Sequence, residues 1–268
     1  MKRIISLLLA AVLILSAAAC SKKDDVTPET GETTTQYVPV LPVIENDNRR
    51  HEYKASDGTV SYVLDVTLPK ITENVTADVV AFLDYYFTDI YNEAVRSANE
   101  NVENARQFML DMSNSQTPWQ RTISFETTCC TEDIVSFKFT DHFTMLGGKT
   151  TPTVYSKMYN VKTGELITLS DLAIDGDEET MLELLLPTIV EKANAEFYAD
   201  GTELSQEQQQ KIKDGFKTVD FCYSSNNSIT FFINKTMLDH SYSGTYCCEF
   251  AFSELSFIFN QPEDIINK

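Results

Sequence analysis

The sequence predicts an α+β fold in which an antiparallel sheet packs against one long helix in the first half and two or three helices in the second. Three observations carry this. Segments of alternating apolar and polar residues recur between turn signals. One stretch of about 35 residues carries an apolar stripe of period three to four. Strands and helices follow in blocks rather than in strict alternation, which favours antiparallel over parallel sheet.

Taken in order, the strands open near Arg50. Tyr53 precedes a turn at Asp57-Gly58, after which Val60, Tyr62, Leu64, Val66 and Leu68 alternate with Ser61, Val63, Asp65 and Thr67. That is the pattern of a half-buried hairpin strand. From Thr76, the residues Val80, Leu83, Phe87, Ile90, Ala94, Ala98, Val102, Ala105 and Met109 recur every three or four positions, predicting a helix whose stripe is a packing surface. Beyond Pro118, Trp119, Arg121, Ile123 and Phe125 alternate, and Val135, Phe137 and Phe139 follow an acidic turn at Glu132-Asp133. These read as antiparallel neighbours. Residues 155–160 and 165–169 flank Thr163-Gly164, a further hairpin signal.

In the second half, Asp175, Asp177, Glu178 and Glu179 precede Leu182, Leu185, Ile189, Ala193 and Phe197. Carboxylates at a helix start complement its positive end, and Pro187 is expected to kink or interrupt the helix. As a calcium loop the segment fails, because Ala173 and Leu182 stand where oxygen ligands are needed. Ser205 and Gln208 form a capping box, and Gly215 marks a stop. Strands over 218–223, 229–233 and 245–252 close the domain.

The amino terminus carries the most specific signal. Lys2 and Arg3 precede an apolar run from Ile4 to Ala19, broken only by Ser6 and Ser16, and Ala17-Ala18-Ala19 stand directly before Cys20. This is the pattern of a signal peptide, and the run is shorter than the ~20 residues of a permanent membrane helix. Small residues ending at a cysteine resemble the lipobox of bacterial lipoproteins, although Ala17 replaces the usual leucine. Acylation of Cys20 would anchor the chain at the extracytoplasmic face of the cell membrane, and lipoprotein lipid has enough acyl chains for stable anchoring. Residues 21–45 are rich in Thr, Asp, Glu and Pro and cannot bury enough surface to offset their ordering entropy. The expected organisation is therefore a signal peptide over 1–19, a lipidated Cys20 with a disordered tether over 20–47, α+β halves over 48–150 and 151–260, and a tail over 261–268.

The formal net charge is −19, and removal of residues 1–19, which takes Lys2 and Arg3 and no carboxylate, makes it −21. Such a surface repels polyphosphate and argues against nucleic acid. It would steer a basic protein, and it equally serves solubility.

No nucleophile elbow, S-x-x-K pair, phosphate loop, dinucleotide fingerprint or H-E-x-x-H occurs. Gly147-Gly148-Lys149 reads as a tight turn, and His142 and His240 are isolated. No metal or cofactor is expected, because the histidines and cysteines lack ligand spacing. With Cys20 acylated, Cys129, Cys130, Cys222, Cys247 and Cys248 are available for disulfides. One of the five must stay unpaired in a monomer. A bridge from Cys222 to one member of either adjacent pair and buried, reduced cysteines are both open. Each adjacent pair falls on a strand, where one thiol faces the core and the other faces out.

The run from Tyr159 through Asn160, Thr163-Gly164, Ile167 and Leu169 to Asp171-Leu172 resembles a signature of a bacterial extracytoplasmic domain. That domain occurs in RsiV-type anti-sigma factors and beside the catalytic domain of PdaC-type peptidoglycan deacetylases. Gly147-Gly148 with Pro152, then Phe216, Phe231, Tyr242, Gly244 and Ser253-Glu254-Leu255, are similar to its other positions, whereas Lys149 and Ala173 depart from it. The resemblance spans residues 48–260. It implies a sensing or binding module, which in the RsiV branch is a lysozyme receptor. Only Lys2 and Arg3 precede the apolar run, so no sigma-binding segment is expected, and no length remains for a deacetylase domain. The expected function is a lipid-anchored, non-enzymatic binding module of the cell envelope, with lysozyme, another basic protein or peptidoglycan as partner. The alternatives are an envelope glycan enzyme using an Asp/Glu pair and a structural lipoprotein.

Overall fold

A computed structural model of the chain describes residues 38–112, 116–145, 152–197, 203–215, 220–224, 227–234, 244–255 and 259. All elements below belong to the compact unit Pro39–Lys268. The segment expected as signal peptide, Cys20, the expected tether up to residue 37, Gly147-Gly148-Lys149, Phe216, His240, Tyr242 and the expected tail over 261–268 lie outside the described residues.

Five strands form the first sheet in the order β1-β2-β3-β4-β5: β1 (Val43–Lys54), β2 (Val60–Glu73), β3 (Trp119–Cys130), β4 (Ile134–Thr144) and β5 (Thr153–Asn160). The helix α1 (Ala77–Asp111) joins β2 to β3. Three corrections to the sequence reading follow. The chain is ordered as strand from Val43, not from about Arg50, so residues 43–47 are not tether. β1 is an edge strand paired only with β2, and its run of Glu, Asn, Asp and Arg is the charged composition that protects an exposed edge from foreign pairing. Next, β2 and β3 pair in parallel while the other three pairings are antiparallel. A parallel pair needs a long crossover, and α1 provides it. Lastly, β5 pairs with β4, so the first sheet runs past residue 150 to Asn160.

The sheet's covered face and α1 share one core. Leu64, Val66 and Leu68 of β2 meet Val79, Leu83 and Phe87 of α1, with Ile123, Phe137 and Phe139 behind them. Further along α1 the buried positions shrink to Ala94, Ala98 and Ala105, which let helix and sheet backbones approach. There the Ser61 hydroxyl donates to the Val102 carbonyl at 2.6 Å.

After β5 the chain turns at Gly164, whose φ is +79° and where a Cβ would meet Phe82 Cδ1 at 3.1 Å. Only glycine satisfies both conditions. Asn160 Oδ1 accepts from the Lys162 and Thr163 amides and holds the turn. The strand expected over 165–169 reduces to a single bridge, Tyr159 with Leu166. Asp171 accepts from the Thr168 amide at 2.8 Å and starts a short helix α2 (Leu169–Leu172) instead.

The second layer comprises α3 (Glu178–Phe197), α4 (Gln206–Gly215), the sheet β6 (Asp220–Ser224), β7 (Ser228–Asn234) and β8 (Thr245–Ala251) in that order, and the short α5 (Phe252–Leu255). α3 runs unbroken through Pro187, contrary to the expected interruption. Leu185 and Ile189 on either side of it are fully buried, and their packing offsets the ~3 kcal/mol cost of an internal proline. The capping box of α4 forms as read: Gln208 N–H donates to Ser205 Oγ, and Ser205 N–H to Gln208 Oε1. Leu182, Leu185, Ile189, Phe221, Phe231 and Phe250 fill the second core.

Candidate functional site

Alternation along the first sheet sets its covered face, and register aligns that face across strands. Tyr62 pairs with Trp119, Leu64 with Arg121, Arg121 with Phe143 and Ile123 with Asp141. Directly paired residues point to the same side. Among its aromatics the apolar face therefore carries the Arg121–Asp141 ion pair. Arg121 Nε donates to Asp141 Oδ1 at 3.0 Å and Nη2 donates to Oδ2 at 2.6 Å, a two-pronged contact. Its side chains are 19% and 17% exposed.

The pair stands in a cavity of about 490 Å³ at the end of the sheet beneath the second half of α1. That size suits a small-molecule site. Tyr62, Trp119 and Phe143 form its aromatic wall: Trp119 meets Phe143 edge to face at 5.4 Å, and Tyr62 stacks on Phe143 at 6.0 Å. Ser97 and Asn101 enter from α1, and Met145 and Thr153 from the strand ends. Asn101 donates to the Ser97 carbonyl at 2.8 Å, and the Ser97 side chain hydrogen-bonds the Tyr62 phenol. In that wall the indole N–H of Trp119 is buried without an acceptor among the described residues.

Electrostatics in this corner follow from burial and the pair. The hydrogen bond it donates to Asp141 raises the Arg121 pKa further, so the guanidinium is a permanent cation. Burial pushes the Tyr62 phenol up, and burial first, with the Asp141 charge second, pushes Tyr155 up. Both phenols are neutral donors at physiological pH. Chemically the cavity offers stacking surface, hydroxyls, an amide and a self-neutralised ion pair. Asp141 is its single carboxylate and is held by Arg121, so its described lining lacks the two carboxyl groups that acid-base glycan cleavage uses. His142 falls on the opposite face of β4, paired with Thr122.

A second, polar groove of about 360 Å³ lies between the two sheets. Glu126, Lys138, Glu249, Thr128, Cys222 and Cys247 line it. Its carboxylates already have partners: Lys138 bonds Glu126, and Ser228 Oγ donates to Glu249 at 2.5 Å.

Five of the six cysteines named from the sequence lie among the described residues, and none of the five is in a disulfide. In β8 the expected split occurs, with Cys247 exposed and Cys248 buried. Cys129 and Cys130 are both half-buried, because a bulge between Thr127 and Cys129 upsets the alternation there. Cys222 lies on β6, separated from β8 by β7. Two strand spacings are ~9.5 Å, beyond the ~7 Å Cα limit for a bridge, so Cys222 cannot pair with Cys247 or Cys248 in this fold. Burial raises the Cys222 and Cys248 thiols to about 11.

The sequence signature is structural. Tyr159 and Val161 belong to the first core, whereas Ile167, Leu169 and Leu172 belong to the second. The turn at Gly164 thus joins the two cores, and none of these residues reaches the aromatic cavity.

No family model matches the sequence, and no curated protein matches it. Among solved structures, a DUF3298-family protein from Bacteroides fragilis aligns with 86% of this chain and 99% of its own, at a TM-score of 0.51 and 10% identity. The two chains share a fold. A DUF3298-family protein from Pseudomonas aeruginosa aligns with 82% of this chain and 95% of its own, at a TM-score of 0.48 and 14% identity. At such identities the likeness concerns the path of the chain, and the lining of the aromatic cavity is argued from this sequence.

Proposed function

We propose that the chain is a lipid-anchored, non-enzymatic binding module at the extracytoplasmic face of a bacterial cell membrane, and that its aromatic cavity is where it binds a component of the cell wall. The observation that carries this reading is the Arg121–Asp141 pair set among Tyr62, Trp119 and Phe143 beside an open cavity. A charge pair on an apolar face costs desolvation that aliphatic residues would avoid, and its cost is repaid where polar groups must meet a ligand. The run ending at Cys20 and the resemblance to the RsiV- and PdaC-type domain support an envelope location. The net charge of −19 also suits a basic protein such as lysozyme.

Two measurements test this. Radiolabelled palmitate should enter the wild-type chain and not Cys20→Ser, which should leave the membrane fraction. The purified full-length chain should sediment with peptidoglycan sacculi or bind lysozyme at low salt. A chain that did neither would not be a binding module of this kind.

A further inference from the structure

We propose that the aromatic cavity takes a neutral sugar unit, a hexose or N-acetylhexosamine ring of a glycan strand. This rests on the reading that the cavity is the binding site, and it names the ligand's chemistry. Three features of the lining select it.

The first is charge. Arg121 commits Nε and Nη2 to Asp141, so the two groups cancel each other's field. An anion would gain little from a neutralised guanidinium while approaching a chain of net charge −19. A cation would meet three aromatic rings favourably, and choline is the probe that tests for one.

Hydrogen bonding is the second. A pyranose hydroxyl both donates and accepts. Among the described residues Arg121 Nη1 has no protein acceptor, so it can donate while the Asp141 oxygens accept, a fork that spans adjacent hydroxyls. Beside Asp141 on the neighbouring strand Thr153 offers an exposed hydroxyl, and Asn101 of α1 offers an amide, each able to act in both senses.

The third is surface. Trp119 and Phe143 supply aromatic rings, and the C–H faces of a sugar ring are its apolar sides, so stacking hides them from water while the hydroxyl rim meets the polar groups. A linear peptide has no comparable disc with an apolar face and a polar edge.

Trp119 is the chain's only tryptophan, so its emission reports this wall. The test titrates the full-length chain in detergent micelles with chitotriose, a neutral N-acetylglucosamine trimer, and follows emission. Trigalacturonate and choline serve as anionic and cationic probes. Chitotriose should shift the emission saturably and the other two should not. Thr153→Val, at an exposed strand position where the fold tolerates it, should weaken chitotriose roughly 3- to 10-fold by removing one hydroxyl. Phe143→Leu should weaken it roughly 10-fold, with thermal melting confirming that it folds. A saturable response to choline or trigalacturonate without one to chitotriose overturns the sugar assignment and leaves the cavity as the binding site. No response to any probe, with sacculi or lysozyme binding unchanged in Phe143→Leu, overturns both.

Discussion

The covered face of the five-stranded sheet holds a charge pair, Arg121–Asp141, beside the Ser61 hydroxyl that α1 satisfies, whereas the three-stranded sheet buries thiols and a hydroxyl, Cys222, Cys248 and Ser228. The two solutions cost differently. A thiol behaves as a small apolar group and needs no partner, while a charge pair is stable only as a pair. The second sheet's buried polar groups therefore fit a packed core with no other task, and the first sheet's charge pair does not. The difference favours the aromatic cavity, rather than the polar groove between the sheets, as the proposed binding site.

Alkaline pH gives the largest test of that contrast. Cys222 and Cys248 titrate near 9 when unfolded and near 11 in the fold, both raised chiefly by burial. Their stabilising contribution is complete below pH 9 and is lost as pH climbs to about 11, where the loss amounts to about 2–3 kcal/mol each. Tyr155 and Tyr159 are raised in the same sense from 10, again by burial, and add about 1 kcal/mol each at pH 11. The urea midpoint should fall steeply between pH 9 and 11. The Cys222→Ala, Cys248→Ala double variant should keep much of its neutral-pH midpoint across that interval. An equally steep fall in the double variant would place the alkaline lability in the tyrosines of the first sheet and remove the role given to the thiols.

The charge pair should behave in the opposite way. Removing Arg121 alone leaves Asp141 as an uncompensated carboxylate on an apolar face, and Arg121→Ala should cost about 3 kcal/mol in urea denaturation. Replacing both members, as Arg121→Met with Asp141→Leu, should recover most of that loss while abolishing binding. If the double replacement were as unstable as the single one, the pair would be a structural necessity and its link to recognition would fail.

How far the sequence reaches also differs between these regions. The helix α1 was legible because its stripe persists over 35 residues, long enough for period to outweigh any single side chain. The β6, β7 and β8 strands were legible from their apolar density. β1 was not, because an edge strand with one partner can be almost wholly polar, and composition then reads as tether. The parallel pairing of β2 and β3 was not legible either, since alternation marks which side a residue faces and is silent about the neighbour's direction. Arg121 could be placed on the inward face from its spacing with Trp119 and Ile123. Its partnership with Asp141 depends on the register of two strands twenty residues apart along the chain, which no local pattern encodes. The signal that pointed toward it was an acid continuing the inward series of Phe137 and Phe139.

The smallest effects should separate the two halves at their helix starts. Thr76 caps α1 through one long contact, Val79 N–H to Oγ1 at 3.4 Å, on a helix that packs along the whole first sheet. Ser205 caps α4 reciprocally with Gln208, at 3.2 and 2.9 Å, on a helix of 10 residues whose one wholly buried residue is Ile212. A short helix with little packing depends more on its cap, because isolated helices of that length are marginal in water. Ser205→Ala should therefore lower the opening free energy of α4 by about 1 kcal/mol, measured by native-state hydrogen exchange of the amides over 209–213, with little change elsewhere. Thr76→Ala should lower protection at the start of α1 by no more than about 0.5 kcal/mol. Equal losses at the two sites would mean that α4 is held by contacts beyond its box and Ile212, and that the second half is less dependent on local sequence signals than its short elements imply.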